Sequence, residues 1–198
     1  PYTTLFRSKE VKRFRRELNM KEGWYLRSFD ATLKNGVEVA VNVRRFLSQT
    51  LDEAGLIRYE ITPLNQAANI VFKPYLDAGV TNEDANWEEK FWEPLEVKHQ
   101  GDSAFVTART FKTHFIATTF MNNRVFLNGN ATNNASEIVE ANNEKIQFQY
   151  TLQAAQGATA SIEKIGGYTA SMNHENTQAA AEKIIAAALS KGFNALLS

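Results

Sequence analysis

The stretch WYLRSFDATLKNGVEVAVNV, residues 24–43, contains two β-rich runs on either side of Lys34-Asn35-Gly36. An Asn-Gly pair between two such runs is a strong short-range signal for a β-hairpin. In the second run valine occupies every odd position from 37 to 43, so the valines share one face of a strand. The stretch therefore predicts an antiparallel hairpin with one apolar face.

The apolar positions change parity just after this hairpin. Arg44 and Arg45 separate Val43 from Phe46, so the apolar position moves from odd to even numbers. One extra residue in a strand has this effect, and a β-bulge at Arg44–Arg45 is one interpretation. The strand ending at that point is an equally good one.

Strand-like runs follow one another along most of the chain. The run KIQFQYTLQ, residues 145–153, alternates most regularly, as expected of a half-solvated antiparallel sheet. Its inward positions are Ile146, Phe148, Tyr150 and Leu152. Gly166-Gly167, inside a later run, indicates a kink or a close backbone approach. Many strands without βαβ alternation predict a mainly β fold, a large antiparallel β-sandwich.

Basic residues are concentrated in KRFRRELN, residues 12–19. Strict alternation places Arg13 and Arg15 on one strand face and Lys12 and Arg16 on the other, so no one-sided basic patch forms. We interpret the segment as a solvated edge strand.

One helix is predicted, close to the end of the chain. Asn176 or Thr177 can cap its start, and Gly192 suits its C-terminal stop. Its apolar stripe consists of Ala181, Ile184, Ile185, Ala188 and Leu189. We expect this helix to cover an open end of the sandwich.

The segment FNALLS after Gly192 is apolar again at helical spacing, through Phe193, Leu196 and Leu197. We expect these side chains to have nothing left in the chain to pack against. The segment therefore predicts that the natural polypeptide continues beyond Ser198.

Composition excludes several classes of function. The 198 residues carry 22 basic and 22 acidic side chains, so there is no electrostatic case for nucleic acid or an anionic membrane. No cysteine occurs, which excludes disulfides and thiolate chemistry and fits a reducing cytoplasm. The first eight residues, PYTTLFRS, read as an in-frame translation of a short-read sequencing adapter, and we leave them out of fold reasoning. A short edge strand is the alternative.

The search for chemistry finds no nucleophile elbow, phosphate loop or dinucleotide fingerprint. His99, His114 and His174 lie far apart without metal-ligand spacing. We therefore name no catalytic and no metal-binding residue.

The densest polar and aromatic segment is NEDANWEEKFWEP, residues 82–94. Carboxylates and ring-stacking aromatics are the groups that act on sugars. A solvated surface loop anchored by its tryptophans explains the same residues. The candidate residues of an interface or a sugar contact are Asp84, Trp87, Lys90 and Trp92.

Four segments together carry a resemblance to a known family: RRELNMKEGWYLRSF, VRRFLS, IRYEITPLN and NEDANWEEKFW. In this order they resemble the N-terminal domain of family 65 glycoside hydrolases, which includes the phosphorylases of maltose, kojibiose and trehalose. The likeness is strongest to the maltose phosphorylases. These are scaffold motifs, not catalytic ones.

The resemblance implies a domain plan. Residues 1–8 remain the adapter-derived segment, residues 9–173 are part of a β-supersandwich that lacks its first strands, and residues 174–198 begin a helical linker. In the family, that linker leads to an (α/α)6 catalytic domain. This domain carries the glutamic acid that protonates the glycosidic oxygen and the residues that bind phosphate.

The resemblance also implies a parent activity. Family phosphorylases cleave maltose or a related α-glucoside with inversion, using inorganic phosphate as co-substrate and no cofactor, and release β-glucose 1-phosphate and glucose. We expect the chain itself to be a non-catalytic scaffold, a domain interface and part of a cytoplasmic homodimer. Two alternatives stay open: a stand-alone carbohydrate-binding module, and a fragment of a hydrolase of the same family.

Overall fold

The computed structural model of the chain describes residues 8–81, 90–132 and 136–197. Within these residues thirteen strands are followed by two helices. The strands are β1 (Ser8–Asn19), β2 (Trp24–Leu33), β3 (Glu38–Leu47), β4 (Ala54–Pro63), β5 (Ala68–Phe72), β6 (Tyr75–Asp77), β7 (Trp92–Gln100), β8 (Ser103–Thr110), β9 (Ile116–Leu127), β10 (Asn130–Ala131), β11 (Glu137–Ala141), β12 (Lys145–Ala154) and β13 (Ala160–Ala170). The helices are α1 (Thr177–Lys191) and α2 (Phe193–Leu197).

The strands form two antiparallel sheets, which confirms the predicted sandwich. The large sheet has the order β1-β2-β3-β4-β13-β9-β8-β7, with β10 beside β9. The small sheet has the order β11-β12-β5, with β6 also paired to β12. β13 lies between β4 and β9, and so brings the last strand into the middle of the large sheet.

The predicted hairpin joins β2 and β3. Gly36 takes the positive φ of +83° that the turn requires and donates its N–H to Leu33 O at 3.0 Å. The valines of β3 are buried and pack with Phe29 and Ala31 of β2. The alternation in β12 is confirmed as well, because its four inward side chains all lie in the core between the sheets.

The predicted bulge at Arg44–Arg45 is wrong, and β3 does not end there either. β3 runs on to Leu47, and its pairing with β2 and β4 continues through Arg44 and Arg45 without a register shift. The parity change has another cause: the large sheet is covered on both faces at different places. Val43 belongs to the valine cluster on one face of the sheet. Phe46 packs on the other face against α1 and α2, the two helices that we call the helical end.

A bulge occurs instead in β1. Its register with β2 shifts between Lys12 and Arg15, and Arg13 has a φ of +51°. β1 is an edge strand with mostly exposed side chains, as predicted. The bulge places Lys12 and Arg15 opposite Asp30 and Ser28, so these two share a face, contrary to the predicted alternation.

The predicted helix is α1. Asn176 caps it, since its side-chain oxygen accepts the N–H of Ala179 at 2.9 Å. Gly192 ends it with a φ of +79°, and its N–H donates to Ala188 O at 2.9 Å. Of the predicted stripe, Ala181, Ile185 and Ala188 are buried, with Ile184 and Leu189 packed beside them. No described helix has both the length and the apolar character needed to cross a membrane.

The expectation that the last apolar residues lack a packing partner is wrong. Phe193 and Leu196 of α2 are buried in the same cluster as Phe46 and Leu56. The ring of Phe193 meets that of Phe46 edge-on, with 5.1 Å between centroids. The chain thus turns at Gly192 and folds its end back onto the large sheet.

Candidate functional site

The structure describes two of the four candidate residues in the segment 82–94. Asp84 and Trp87 lie outside the described residues. Lys90 is exposed, and its Nζ lies 3.4 Å from Glu144 Oε2, in the turn between β11 and β12. Trp92 is half-buried at the start of β7, opposite Thr110. A sugar or interface role for this segment stays a prediction.

Two exposed phenylalanines near Trp92, Phe111 and Phe115, were missed by the sequence analysis, which included Phe91 in the segment 82–94. Phe111 donates its N–H to Phe91 O at 3.1 Å, and Phe115 O accepts the N–H of Thr110 at 2.9 Å. All three phenylalanines are exposed. Trp92, Thr110 and Phe115 lie opposite one another on neighbouring strands and so share one face of the sheet, whereas Phe91 and Phe111 lie opposite each other at positions of the other face. Only the strand pairing, not the sequence, brings these positions together.

The three histidines occupy unrelated places. His99 lies on the edge strand β7, with its ring 6.5 Å from that of Phe148. His114 lies in the turn before β9 with a φ of +56°. His174 Nε2 lies 2.8 and 2.9 Å from the two carboxylate oxygens of Glu53, a contact that joins the segment before α1 to the turn between β3 and β4. Among the described residues no three His, Asp or Glu side chains are grouped to hold a metal ion.

Burial displaces the pKa values of two ionisable groups, Tyr150 and Lys164. Burial, reinforced by a 2.9 Å hydrogen bond from its hydroxyl to Asp102 Oδ1, raises the pKa of Tyr150 above its usual range. Burial lowers the pKa of Lys164 to about 8, and its Nζ donates to Tyr75 O at 3.1 Å. These groups lie at separate positions between or beside the sheets and form no acid–base pair with one another.

Arg58, on β4 of the large sheet, makes polar contacts with the helical end. Its Nε and Nη2 donate to Glu163 Oε1 on β13 at 2.9 and 2.6 Å, and Nη2 also donates to Asn194 Oδ1 at 3.2 Å. Its guanidinium carbon lies 4.1 Å from the ring centroid of Phe193. We call Arg58, Glu163, Phe193 and Asn194 the helix-docking site.

The start of α1 is held by a second, neutral set of bonds. Thr177 Oγ1 lies 2.8 Å from Thr118 Oγ1, and Thr169 Oγ1 donates to Thr177 O at 2.8 Å. All three threonines are buried. Each end of the helical segment is therefore fastened to the large sheet by specific hydrogen bonds as well as by apolar packing.

Neither set of bonds is visible in the sequence. Arg58 and Glu163 are 105 positions apart, and Thr118 and Thr177 are 59 apart. In a single sequence such residues are indistinguishable from solvated strand residues.

These features define an antiparallel β-sandwich domain that holds a helical end against one face of its large sheet. Residues 3–198 match the family model described as Glycosyl hydrolase family 65, N-terminal domain. The chain belongs to that family and represents its N-terminal domain.

Two similar proteins are named as phosphorylases and are much longer than this chain. The chain is 36% identical over 105 residues to maltose phosphorylase of Bacillus subtilis (strain 168), a match that covers 53% of the chain and 14% of that protein. It superimposes with a TM-score of 0.72 on a solved structure assigned as a kojibiose phosphorylase from human microbiome, at 18% identity, covering 95% of the chain and 24% of that protein. The chain thus spans about a quarter or less of the length of these relatives.

Proposed function

We propose that the chain is the non-catalytic N-terminal domain of a phosphorylase that cleaves maltose or a related α-glucoside. The parent enzyme transfers the glucosyl group to inorganic phosphate with inversion and releases β-glucose 1-phosphate and glucose. The observation that carries the proposal is membership of the family as an N-terminal domain over residues 3–198, supported by the likeness to maltose phosphorylase.

This proposal keeps the domain plan that the resemblance to family 65 glycoside hydrolases implies. Residues 9–173 form the sandwich part, and residues 174–198 lead toward an (α/α)6 catalytic domain; residues 1–8 are adapter-derived, although the family match begins at residue 3. The helix-docking site supports a scaffold role, because Arg58 holds α2 against the large sheet through Phe193 and Asn194. We assign the parent to the cytoplasm as a homodimer. The chain has no cysteine, which fits the reducing conditions of that compartment.

The test compares the 198-residue chain with the longer protein that joins it to a catalytic domain. We expect the longer protein to release glucose 1-phosphate from maltose, kojibiose or trehalose only when phosphate is added, and the chain alone to release none. Cleavage by the chain alone would refute the proposal. Release of glucose without phosphate would identify a hydrolase instead.

A carbohydrate-binding role is the second candidate, favoured by the exposed Phe115, which lies on the same face of the sheet as Trp92. Calorimetric titration of the chain with maltose and longer α-glucans tests it. Saturable binding that Trp92→Ala abolishes and Phe126→Ala leaves intact would support this role, and the absence of saturable binding would exclude it.

The segment 82–94 is tested in the longer protein. We expect Trp87→Ala and Trp92→Ala to lower activity or to weaken the dimer, because we propose that the segment lies near the catalytic domain or a second subunit. Wild-type kinetics and sedimentation in both variants would reduce the segment to local packing.

A further inference from the structure

A groove of about 430 Å³ lies at one end of the large sheet. Its central row consists of Tyr25, Arg45, Ile57 and Lys164, which are directly paired neighbours on β2, β3, β4 and β13 and so share one face. Lys164 reaches β6 of the small sheet through Tyr75 O. The groove therefore lies beside the small sheet, on the face opposite the helical end.

The floor of the groove is bare backbone. Gly55 and Gly166 pair directly across β4 and β13. A Cβ at Gly166 would lie 3.6 Å from Phe120 O and 3.7 Å from Lys164 Cε, which are ordinary contact distances. A Cβ at Gly55 would lie 3.1 Å from Leu47 Cδ2, so the Leu47 side chain covers that half of the floor. An incoming side chain would therefore pack beside Leu47, over Gly166.

Large apolar side chains surround this floor in exposed positions. Leu18, Leu47 and Ile57 are 64%, 74% and 38% exposed, and all three line the groove. Isolated exposed leucines are common, but a cluster around a concave surface is typical of a protein interaction site.

The charges of the groove have one sign. Arg45 and Lys164 line it, and none of its described lining residues is acidic. The Arg45 guanidinium carbon lies 4.6 Å from the Tyr25 ring centroid, and among the described residues neither cation forms an ion pair with a carboxylate. Burial lowers the pKa of Lys164, and no described carboxylate acts against that shift.

We propose that this groove docks an amphipathic helix of acidic character, whose apolar side chains pack beside Leu47 over Gly166 and whose carboxylates pair with Arg45 and Lys164. A helix fits better than an added strand, because the groove lies on a sheet face whose backbone groups are already paired within the ladder. A sugar fits poorly, because the lining is mainly apolar with few polar groups. This docking role goes beyond the scaffold role and does not depend on it.

The test uses two synthetic amphipathic peptides of about 15 residues, titrated calorimetrically into the 198-residue chain. Both carry leucine at helical spacing; one has glutamate and the other lysine on the flanks of the stripe. We expect saturable binding of the glutamate peptide and roughly tenfold weaker binding of the lysine peptide. Failure of the glutamate peptide to bind overturns the proposal.

Variants of the chain locate the binding. Arg45→Glu reverses the charge in the groove and is expected to weaken the glutamate peptide roughly tenfold. Arg124→Glu makes the same change beside the helical end and is the matched control, which should bind like the unmodified chain. Equal losses in both variants would mean that attraction to the whole chain, not the groove, drives binding.

A third variant fills the floor. Gly166→Leu is expected to abolish binding of both peptides, and its circular dichroism and urea midpoint show whether it is folded. If it fails to fold, the two arginine variants still decide the question. Sedimentation gives the last outcome: a dimer of the chain that Arg45→Glu dissociates would make a second copy the occupant and overturn the proposal of an acidic helix.

Discussion

Replacing Gly167 by alanine places a methyl group where backbone already lies. A Cβ at this position would be 1.9 Å from Glu53 O and 2.7 Å from Phe120 Cζ. Gly167 pairs with Ala54 of β4 on one side and with Phe120 of β9 on the other. The methyl group can be accommodated only if the β3–β4 turn moves away from the sheet.

The size of the effect follows from this geometry. Forcing an extra methyl into a packed interior costs about 1–3 kcal/mol and occasionally more. The obstacle at Gly167 is backbone as well as a buried ring, so we expect a loss of roughly 3 kcal/mol in the free energy of unfolding. Gly166→Ala is the matched control, because its Cβ would meet only ordinary contacts at 3.6 and 3.7 Å. We expect that variant to stay within roughly 1 kcal/mol of the unmodified chain.

Urea unfolding followed by circular dichroism measures both variants under identical conditions. A second readout is the imidazole NMR signal of His174, because Glu53 holds that ring through its carboxylate. We expect Gly167→Ala to shift this signal and Gly166→Ala to leave it unchanged. Equal stability of the two variants, with an unperturbed His174, would show that the close approach of Glu53 to β13 is not real.

Three further predictions concern the helical end and a buried charge. Arg58→Ala should lower the free energy of unfolding by roughly 3 kcal/mol, because it leaves the carboxylate of Glu163, whose side chain is only 15% exposed, without its partner. Arg109→Ala is the control in the same urea assay. It removes an ion pair whose side chains are 40% and 42% exposed and should cost under about 1 kcal/mol. Asn176→Ala should cost about 1 kcal/mol by thermal and urea unfolding, because it leaves the Ala179 N–H without its cap; a loss below the error of the assay contradicts the cap. The pKa of Lys164 is about 8 in the folded chain, below its unfolded value near 10.4. Above pH 8 the unfolded chain therefore binds more protons than the folded chain. The free energy of unfolding should then rise from pH 8 to about 9.5. Lys164→Met should remove that rise, and the same slope in both proteins would contradict it.

The local architecture could be predicted from residue order alone. The Asn35-Gly36 turn, the alternation of β12 and the Asn176 cap each depend on residues within a few positions of one another. Side-chain period and turn chemistry are local properties, so the strands and the helix follow from them. The mainly β sandwich follows in turn, because strands without intervening helices bury their apolar faces by stacking sheets.

The candidate site was predicted less well, since its residues meet only through strand order. Trp92 could be chosen from its sequence, but its neighbours Phe111 and Phe115 are separated from it by β8 and its turns. Arg58 meets Glu163 only because β13 is inserted between β4 and β9. That insertion depends on pairing over more than 100 residues.

The parity change at Phe46 shows where the boundary between the two kinds of information lies. Its residue pattern correctly marks a change of buried face, and the pattern is the same whether a bulge or a second covering layer causes it. The helical end that buries Phe46 comes almost 150 residues later, in Phe193 and Leu196. Alternation along a strand therefore reports that a side chain is buried, whereas the layer that buries it depends on how distant segments pack, because burial is a property of the assembled surface and not of the strand.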